Sequence, residues 1–433
     1  MSRPESHADA MTKVSLAGVA RVDITPPVGV MLEAYHRDGP STGILDRLYA
    51  TALALATQRG EPLVILGIDN VALVPSETKP IRKAIAHELG IPKERVMMLL
   101  SHTHSGPRIT PEYLQELREK AVEAAERAAA SLAPATLGWG VGHVDASVNR
   151  RAQCQRRTEL APASRAIPDQ RVGVLRVDGP DGKPLAALIW YTAHPNVLKR
   201  DSNVISADWP GAVRHVVEEG AGCMALVAPG AAGNVNPRWR GSAEALGRMR
   251  SAVGGEALKV LEHIETRSLT SLELCSETIP LRLQPIPEEA EAQRLAAEAA
   301  EAWGVSTDTW LAEVRRCRER GEINRTLPVE LHIARINEGI IGGIPMEAFT
   351  EIAIAVAGHF PGHPVFFGGY TNGWIGYLPT AEEYPSGGYE VEWMSVVYGP
   401  ESGLLTPAVP DAASQVVSTA IRMISQVMSQ RST

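Results

Sequence analysis

The sequence predicts an α/β protein built of mixed β-sheets flanked by helices. Three observations point there. Apolar runs of strand length, such as Val96-Met97-Met98-Leu99-Leu100, recur along the chain and stop at turn signals. Between them lie longer segments whose apolar residues are spaced for a helix with one buried face. The 433 residues also suffice for one large α/β unit with a sizeable core, and no convincing linker, repeat or low-complexity tract divides the chain.

Residues 1–14 lack an apolar centre and are expected to form a disordered tail, followed by a single catalytic domain over 15–433. Leu16 to Thr25 reads as a strand closed by Pro26-Pro27, and Leu48 to Leu66 as two strands about the turn Gln58-Arg59-Gly60-Glu61. Lys79 to Leu89 has Ile81, Ile85 and Leu89 on one face and stops at Gly90, so it is expected to be a glycine-capped helix. The apolar run Val96 to Leu100 follows, then an alanine-rich helix over Pro111 to Ser131 and strands over Ala135 to Val144 and Val172 to Val177, with Asn149-Arg150-Arg151 as a basic turn between them. Leu185 to Tyr191 is a further strand, and Asp208 stands as the cap of a helix with Pro210 in its first turn. Cys223 to Val227 reads as a strand and Ser242 to Glu262 as a helix, and Ser268 to Leu283 reads as strands. A surface helical pair is expected as an insertion over about 287–321, from the spacing of Leu295, Ala299 and Trp303, then Trp310, Val314 and Cys317. Strands over Val329 to Ile344, a helix over Ala348 to Ala357, a short strand Val365 to Phe367 and a helix over Ala412 to Met428 complete the chain.

Composition excludes several classes. Fifty acidic against 42 basic residues, a net charge of -8, argue against binding nucleic acid through its phosphates. No run of about 18 apolar residues is present, so no integral membrane segment is expected. Cys154, Cys223, Cys275 and Cys317 are isolated, which fits neither a CxxC clamp nor a disulfide framework and points to a cytoplasmic location.

The chemistry concentrates where strands end. Val96 to Leu100 runs straight into Ser101-His102-Thr103-His104-Ser105-Gly106-Pro107. On an extended segment residues i and i+2 face one side, so His102 and His104 can enter one pocket, as metal ligands or as acid and base. Taken alone, the motif is also readable as two polar residues near a turn. The pattern repeats at Tyr191-Thr192-Ala193-His194, a second strand emptying a histidine into a loop. The segment Ala228 to Pro237 is rich in small residues, which lets backbone approach a ligand closely or simply forms a turn.

Together the SHTHSGP loop, Ala193-His194, Ile344-Pro345-Met346-Glu347 and Asn372-Gly373-Trp374-Ile375-Gly376-Tyr377 resemble the neutral ceramidase family, in particular its amino-terminal hydrolase domain. AGVARVDITPP, TGILDRLYATALAL, VNRR, ISADWPG, GYLPTAEEY and Tyr389-Glu390 followed by Tyr398-Gly399-Pro400 look like that family in the same order. The resemblance implies that family's catalytic-domain fold and a Zn2+ ion held by His102, His194, Glu347 and Tyr377, with room for a water. Two imidazoles and a carboxylate are ordinary ligands of hydrolytic zinc. By residue class alone Tyr377 is a packed aromatic, and Glu347 a charge at the start of a helix. The resemblance also places His104, Arg150 and Tyr389 beside the reacting carbonyl. His104 would be the general acid, and Arg150 or Tyr389 would donate to the developing oxyanion. Without it, Arg150 reads as a turn arginine and Tyr389 as a packed loop residue.

The chain departs from the family's pattern in three places. Where the family has a serine in Gly-Asp-x-Ser-Pro, this sequence reads Gly233-Asn234-Val235-Asn236-Pro237. Asparagine forms no acyl-enzyme, so a zinc-activated water with Asn236 as hydrogen-bond donor is expected to replace it. Members acting on ceramide usually carry an export signal and a carboxyl-terminal β-sandwich domain, and neither is expected here. Lys199-Arg200 after the His194 loop and Arg238-Trp239-Arg240 after the Asn236 loop would, if they face the cleft, favour a carboxylate or other anion, with Lys199 and Arg238 joining Gly233 in binding the substrate; otherwise they are solvated surface groups. The expected activity is cleavage of a linear amide bond in a small soluble N-acyl substrate. Ceramide or another N-acyl lipid, an ester or lactone, and a non-catalytic zinc- or ligand-binding role stand as alternatives, and the sequence leaves the oligomeric state open.

Overall fold

Strand-length apolar runs pair into three sheets of four or five strands in the computed structural model, which describes residues 15–430 apart from 59, 155–156 and 164–166. The tail expected over 1–14, position 59 of the hairpin turn and the side chain of Cys154 lie outside the described residues. The first sheet runs Val96–Leu100, Leu63–Ile68, Tyr49–Thr57, Ser15–Asp23 and Ala133–Pro134. The second runs Met224–Ala228, Pro184–Trp190, Arg171–Asp178 and Thr136–His143, and the third Leu272–Arg282, Thr326–Ile336, Gly339–Gly343 and Val365–Gly368.

The inner faces of the three sheets share one core. Met97, Leu99 and Ile65 from the first meet Leu175, Leu188 and Leu226 from the second and Ile341 and Phe366 from the third. The alternate residues Val96, Met98 and Leu100 face outward onto the helices Pro75–Leu89 and Pro111–Ala130. Strands buried on both faces read as unbroken apolar runs, which is why Val96 to Leu100 shows no alternation. The helix Asp208–Ala221 covers the second sheet, and Thr350–Gly358 and Ala412–Ser429 cover the third. The helical pair Glu289–Trp303 and Asp308–Glu319 packs through Trp310, Val314 and Cys317 against Val396 and Leu405, in the region expected for it. No helix among the described residues is long and apolar enough to cross a membrane.

Helix ends follow local chemistry. Gly90 adopts φ 63°, the left-handed conformation glycine tolerates, at the end of Pro75–Leu89. Thr110 accepts a hydrogen bond from the Tyr113 amide at the start of Pro111–Ala130. Three expectations need correction. Asn149-Arg150-Arg151 is no turn but part of the strand Ser147–Cys154, which pairs with Val235–Pro237 and Arg157–Ala163; its polar residues are buried because acidic partners await them. Glu347 does not open the helix, which begins at Thr350; it lies in a two-residue strand, Glu347–Ala348, beside Tyr377–Leu378. Asp208 is the first helical residue rather than the cap, with φ 57°, and its carboxylate accepts from the amides of Val197, Leu198 and Trp209. It therefore fixes the loop after His194.

Each sheet contains one parallel pair: Leu63–Ile68 with Val96–Leu100, Pro184–Trp190 with Met224–Ala228, and Gly339–Gly343 with Val365–Gly368. The loops that leave the carboxyl ends of these pairs carry the polar residues singled out above.

Candidate functional site

After Leu100 the chain turns at His102, whose φ is 57°, a conformation uncommon for a residue with a side chain. His102 and His104 therefore do not share one face of an extended segment, as expected, but the turn still gathers them, with ring centroids 5.1 Å apart. His194, from the second sheet, brings its ring centroid within 4.7 Å of each. His102 Nδ1 lies 2.5 Å from the Val71 carbonyl, which can only accept, so this nitrogen carries a proton and Nε2 is turned toward the site. That Nε2 is buried and lies 3.4 Å from Glu347 Oε2, an ion-pair contact when the ring is protonated. His194 Nδ1 lies 3.3 Å from the Ala232 carbonyl, and its Nε2 lies 2.9 Å from His104 Nε2. One ligand atom from each of the three histidines falls within 4.8 Å of the others, so the trio could hold a metal ion.

Glu347 enters from the third sheet and is buried. Trp374 Nε1 donates to its Oε1 at 2.8 Å and the Tyr370 hydroxyl to its Oε2 at 3.2 Å. Burial by itself would raise its pKa, but the His102 imidazole, Arg150 and the Trp374 donor outweigh this and hold the carboxyl below its ordinary value. Tyr377 is the parallel-register neighbour of Glu347, so the two side chains lie on the same side of the small sheet. Burial chiefly, and the nearby Glu347 carboxylate, push the Tyr377 hydroxyl well above its ordinary pKa. Burial, reinforced by His102 and Arg150, takes His104 and His194 well below the ordinary imidazole range, so both are neutral.

Arg150 ties the histidine cluster to the other wall. Its Nη2 donates to the Tyr377 hydroxyl at 2.9 Å, Nε to Glu390 Oε1 at 2.8 Å, and Nη1 approaches Asn236 Oδ1 at 3.5 Å. Arg151 reaches the other oxygen of Glu390 at 2.6 Å. Consecutive strand residues ordinarily face opposite ways, and the irregularity in register between Asn149 and Arg151 lets both arginines meet one carboxylate. Desolvation opposes the Arg150 charge, yet Tyr377, Glu390 and Glu347 hold the guanidinium firmly protonated. Asn236 Oδ1 also accepts from Asn196 Nδ2 at 3.2 Å. The Tyr389 ring stands 5.6 Å from that of Tyr377 and 4.4 Å from Trp303, so the helical insertion reaches the edge of the site.

Eight of the eleven residues picked from the sequence thus meet in one place: His102, His104, His194, Glu347, Tyr377, Arg150, Tyr389 and Asn236. The other three do not contribute as expected. Arg238 turns outward to pair with Asp145, and Lys199 is exposed. Gly233 is held by packing: a Cβ there would lie 2.4 Å from the Glu347 carbonyl oxygen, and its amide donates to Ala348 O at 2.9 Å. Sequence reasoning missed Tyr370 and Trp374, which clasp Glu347, and Glu390, which pairs with Arg150. Their signal was present in the aromatic loop and in Tyr389-Glu390, but nothing in the sequence says which carboxylate each residue faces.

The fold and this buried cluster define an α/β protein with a metal-competent histidine site gathered from three sheets. The model of the neutral/alkaline non-lysosomal ceramidase amino-terminal domain matches residues 16–231, and the chain belongs to that family of amide hydrolases. Among solved structures, the neutral ceramidase from Pseudomonas aeruginosa superposes with a TM-score of 0.71 at 19% identity, over 96% of this chain and 75% of that one. A ceramidase complexed with C2 gives 0.71 at 20% identity, over 95% and 75%. At these identities the likeness speaks for the fold. No curated protein sequence matches the chain.

Proposed function

We propose that the chain is a zinc-dependent hydrolase that cleaves a linear amide bond in a small soluble N-acyl substrate, with residues 15–433 as one catalytic unit working in the cytoplasm. The observation that carries the reading is the convergence of His102, His104 and His194, with one ligand atom of each within 4.8 Å of the others, beside the buried Glu347 carboxylate 3.4 Å from His102 Nε2. Ligand nitrogens and a carboxylate gathered this closely away from water are costly unless something electrophilic sits between them. Imidazole nitrogens with a carboxylate suit zinc, and His102, His194, Glu347 and Tyr377 would hold it. When bound, the ion would polarise the scissile carbonyl and lower the pKa of water.

The chain's own residues supply the rest. Val71 O and Ala232 O fix the orientation of two imidazoles, and Trp374 and Tyr370 fix the carboxylate. His104 starts neutral, so it takes the proton released as water adds and then passes it to the leaving amine. Arg150, kept charged and buried, donates to the oxyanion with Tyr389, and the Asn236 amide positions the carbonyl.

A second ligand set, in which His104 replaces Tyr377, is favoured by the close approach of the three imidazoles. Metal analysis of zinc-loaded protein separates the two: His104→Ala keeps its zinc in the first and loses it in the second. A screen of N-acyl amino acids, N-acyl amines and ceramides then tests the activity. Turnover of soluble N-acyl compounds that requires zinc supports the proposal, turnover of ceramide alone moves the substrate to the lipid, and zinc-loaded protein inert to every class overturns the hydrolase.

A further inference from the structure

Positive charge that the proposed hydrolysis does not use collects on one side of His104. Arg37 is 5% exposed and donates to the backbone carbonyls of Ser202 and Glu33 at 3.0 Å and of His104 at 2.7 Å, with no carboxylate pair among the described residues. Its role is to hold the loop. Arg240 differs. It is half-buried, its Nε donates to Asn196 O at 3.2 Å, and its guanidinium meets the Tyr35 hydroxyl. Among the described residues no carboxylate pairs with it. Asp208, whose charge acts on it, already has its oxygens on the amides of Val197, Leu198 and Trp209. Arg150 and Arg238, by contrast, are each answered by an acid.

The Tyr35 ring packs edge-on to His104 with centroids 5.0 Å apart, so Tyr35 and the Arg240 it meets lie beside the imidazole. Two buried polar atoms on this side, Asn196 Oδ1 and His104 Nδ1, have no hydrogen-bond partner. Asn196 sits between Arg240 and Asn236, which joins this corner to the cluster. A half-buried guanidinium without a counter-ion, next to a phenol, is a donor pair for a planar anion.

We infer that Tyr35 and Arg240 form a carboxylate subsite on the leaving-amine side of His104, and that the substrate is an N-acyl amino acid or a close analogue with its carboxylate near the amide nitrogen. The inference rests on the hydrolase reading above. It keeps the anionic substrate expected from the sequence and assigns its recognition to Arg240 rather than to Arg238, which pairs with Asp145.

N-octanoylglycine and its carboxamide, N-octanoylglycinamide, differ only in that charge. With zinc-loaded protein, kcat/KM is expected to favour the acid by about 10- to 100-fold, the range of a charge-assisted hydrogen bond. Arg240→Gln should erase the preference by raising KM for the acid toward that for the carboxamide, and Arg240→Lys should keep most of it. Calorimetric binding of the two compounds in the presence of zinc gives a readout independent of turnover. Tighter binding of the acid that Arg240→Gln abolishes, without cleavage of either compound, supports the subsite and sinks the hydrolase. Equal cleavage and equal binding of both compounds overturn the subsite and leave the hydrolase standing, and so does a preference that survives Arg240→Gln.

Discussion

Glu330 and Arg82 offer a quantitative test of how the strand bearing the histidine loop is held. Arg82 is 1% exposed and forks onto Glu330 at 2.7 and 3.1 Å, while its Nε donates to Val96 O at 2.9 Å. The ion pair thus joins the start of Val96–Leu100 to the third sheet. Burial would raise the Glu330 pKa, but the Arg82 guanidinium overcomes it and brings the carboxyl down from 4.5 to about 2. A depression of this size corresponds to about 3 kcal/mol of stability at neutral pH. Because the folded carboxyl releases its proton more readily than the unfolded one, that stability is complete above about pH 4.5 and is lost as the pH falls toward 2. Glu330→Gln should therefore destabilise the protein by about 3 kcal/mol at pH 7, more if the buried guanidinium is left without compensation. Denaturant titrations of wild type and variant at pH 7, 5, 4 and 3 should show the difference unchanged down to about pH 5 and roughly halved by pH 3. A difference that is the same at every pH would refute the electrostatic account and leave packing as the cause.

Three further outcomes follow from particular contacts. Gly233→Ala places a methyl carbon 2.4 Å from Glu347 O, so the Glu347 strand must move; a loss of about 1–3 kcal/mol and weaker zinc retention are expected, read by thermal unfolding and metal analysis. Asn372 accepts from the Met98 amide at 2.9 Å, contacts His332 Nδ1 at 2.9 Å and has φ 60°. Asn372→Ala should cost about 2–4 kcal/mol in denaturant titration, from a buried amide left unpaired and a strained backbone. Arg150→Gln should keep the fold by circular dichroism but lower kcat about 100- to 1000-fold on any substrate the protein cleaves, because it removes the proposed oxyanion donor.

What the sequence determined by itself was the local part. Apolar runs of four to seven residues had to become strands, since nothing else buries Val96 to Leu100 on both faces. Gly90 and Thr110 marked helix ends because φ sign and a side-chain acceptor are properties of single residues. Histidines at strand ends and the family motifs likewise named most of the cluster. The tertiary structure alone decided which partners each group meets. Arg150 and Arg151 read as a turn because their charges seemed to need water, and only the fold supplies Glu390 from 240 and 239 residues away. Arg238 and Arg240 are indistinguishable in the sequence, yet one faces Asp145 and the other Tyr35. Charge pairing and desolvation depend on distance in space, so chain order cannot rank such neighbours until three sheets have brought their strand ends together.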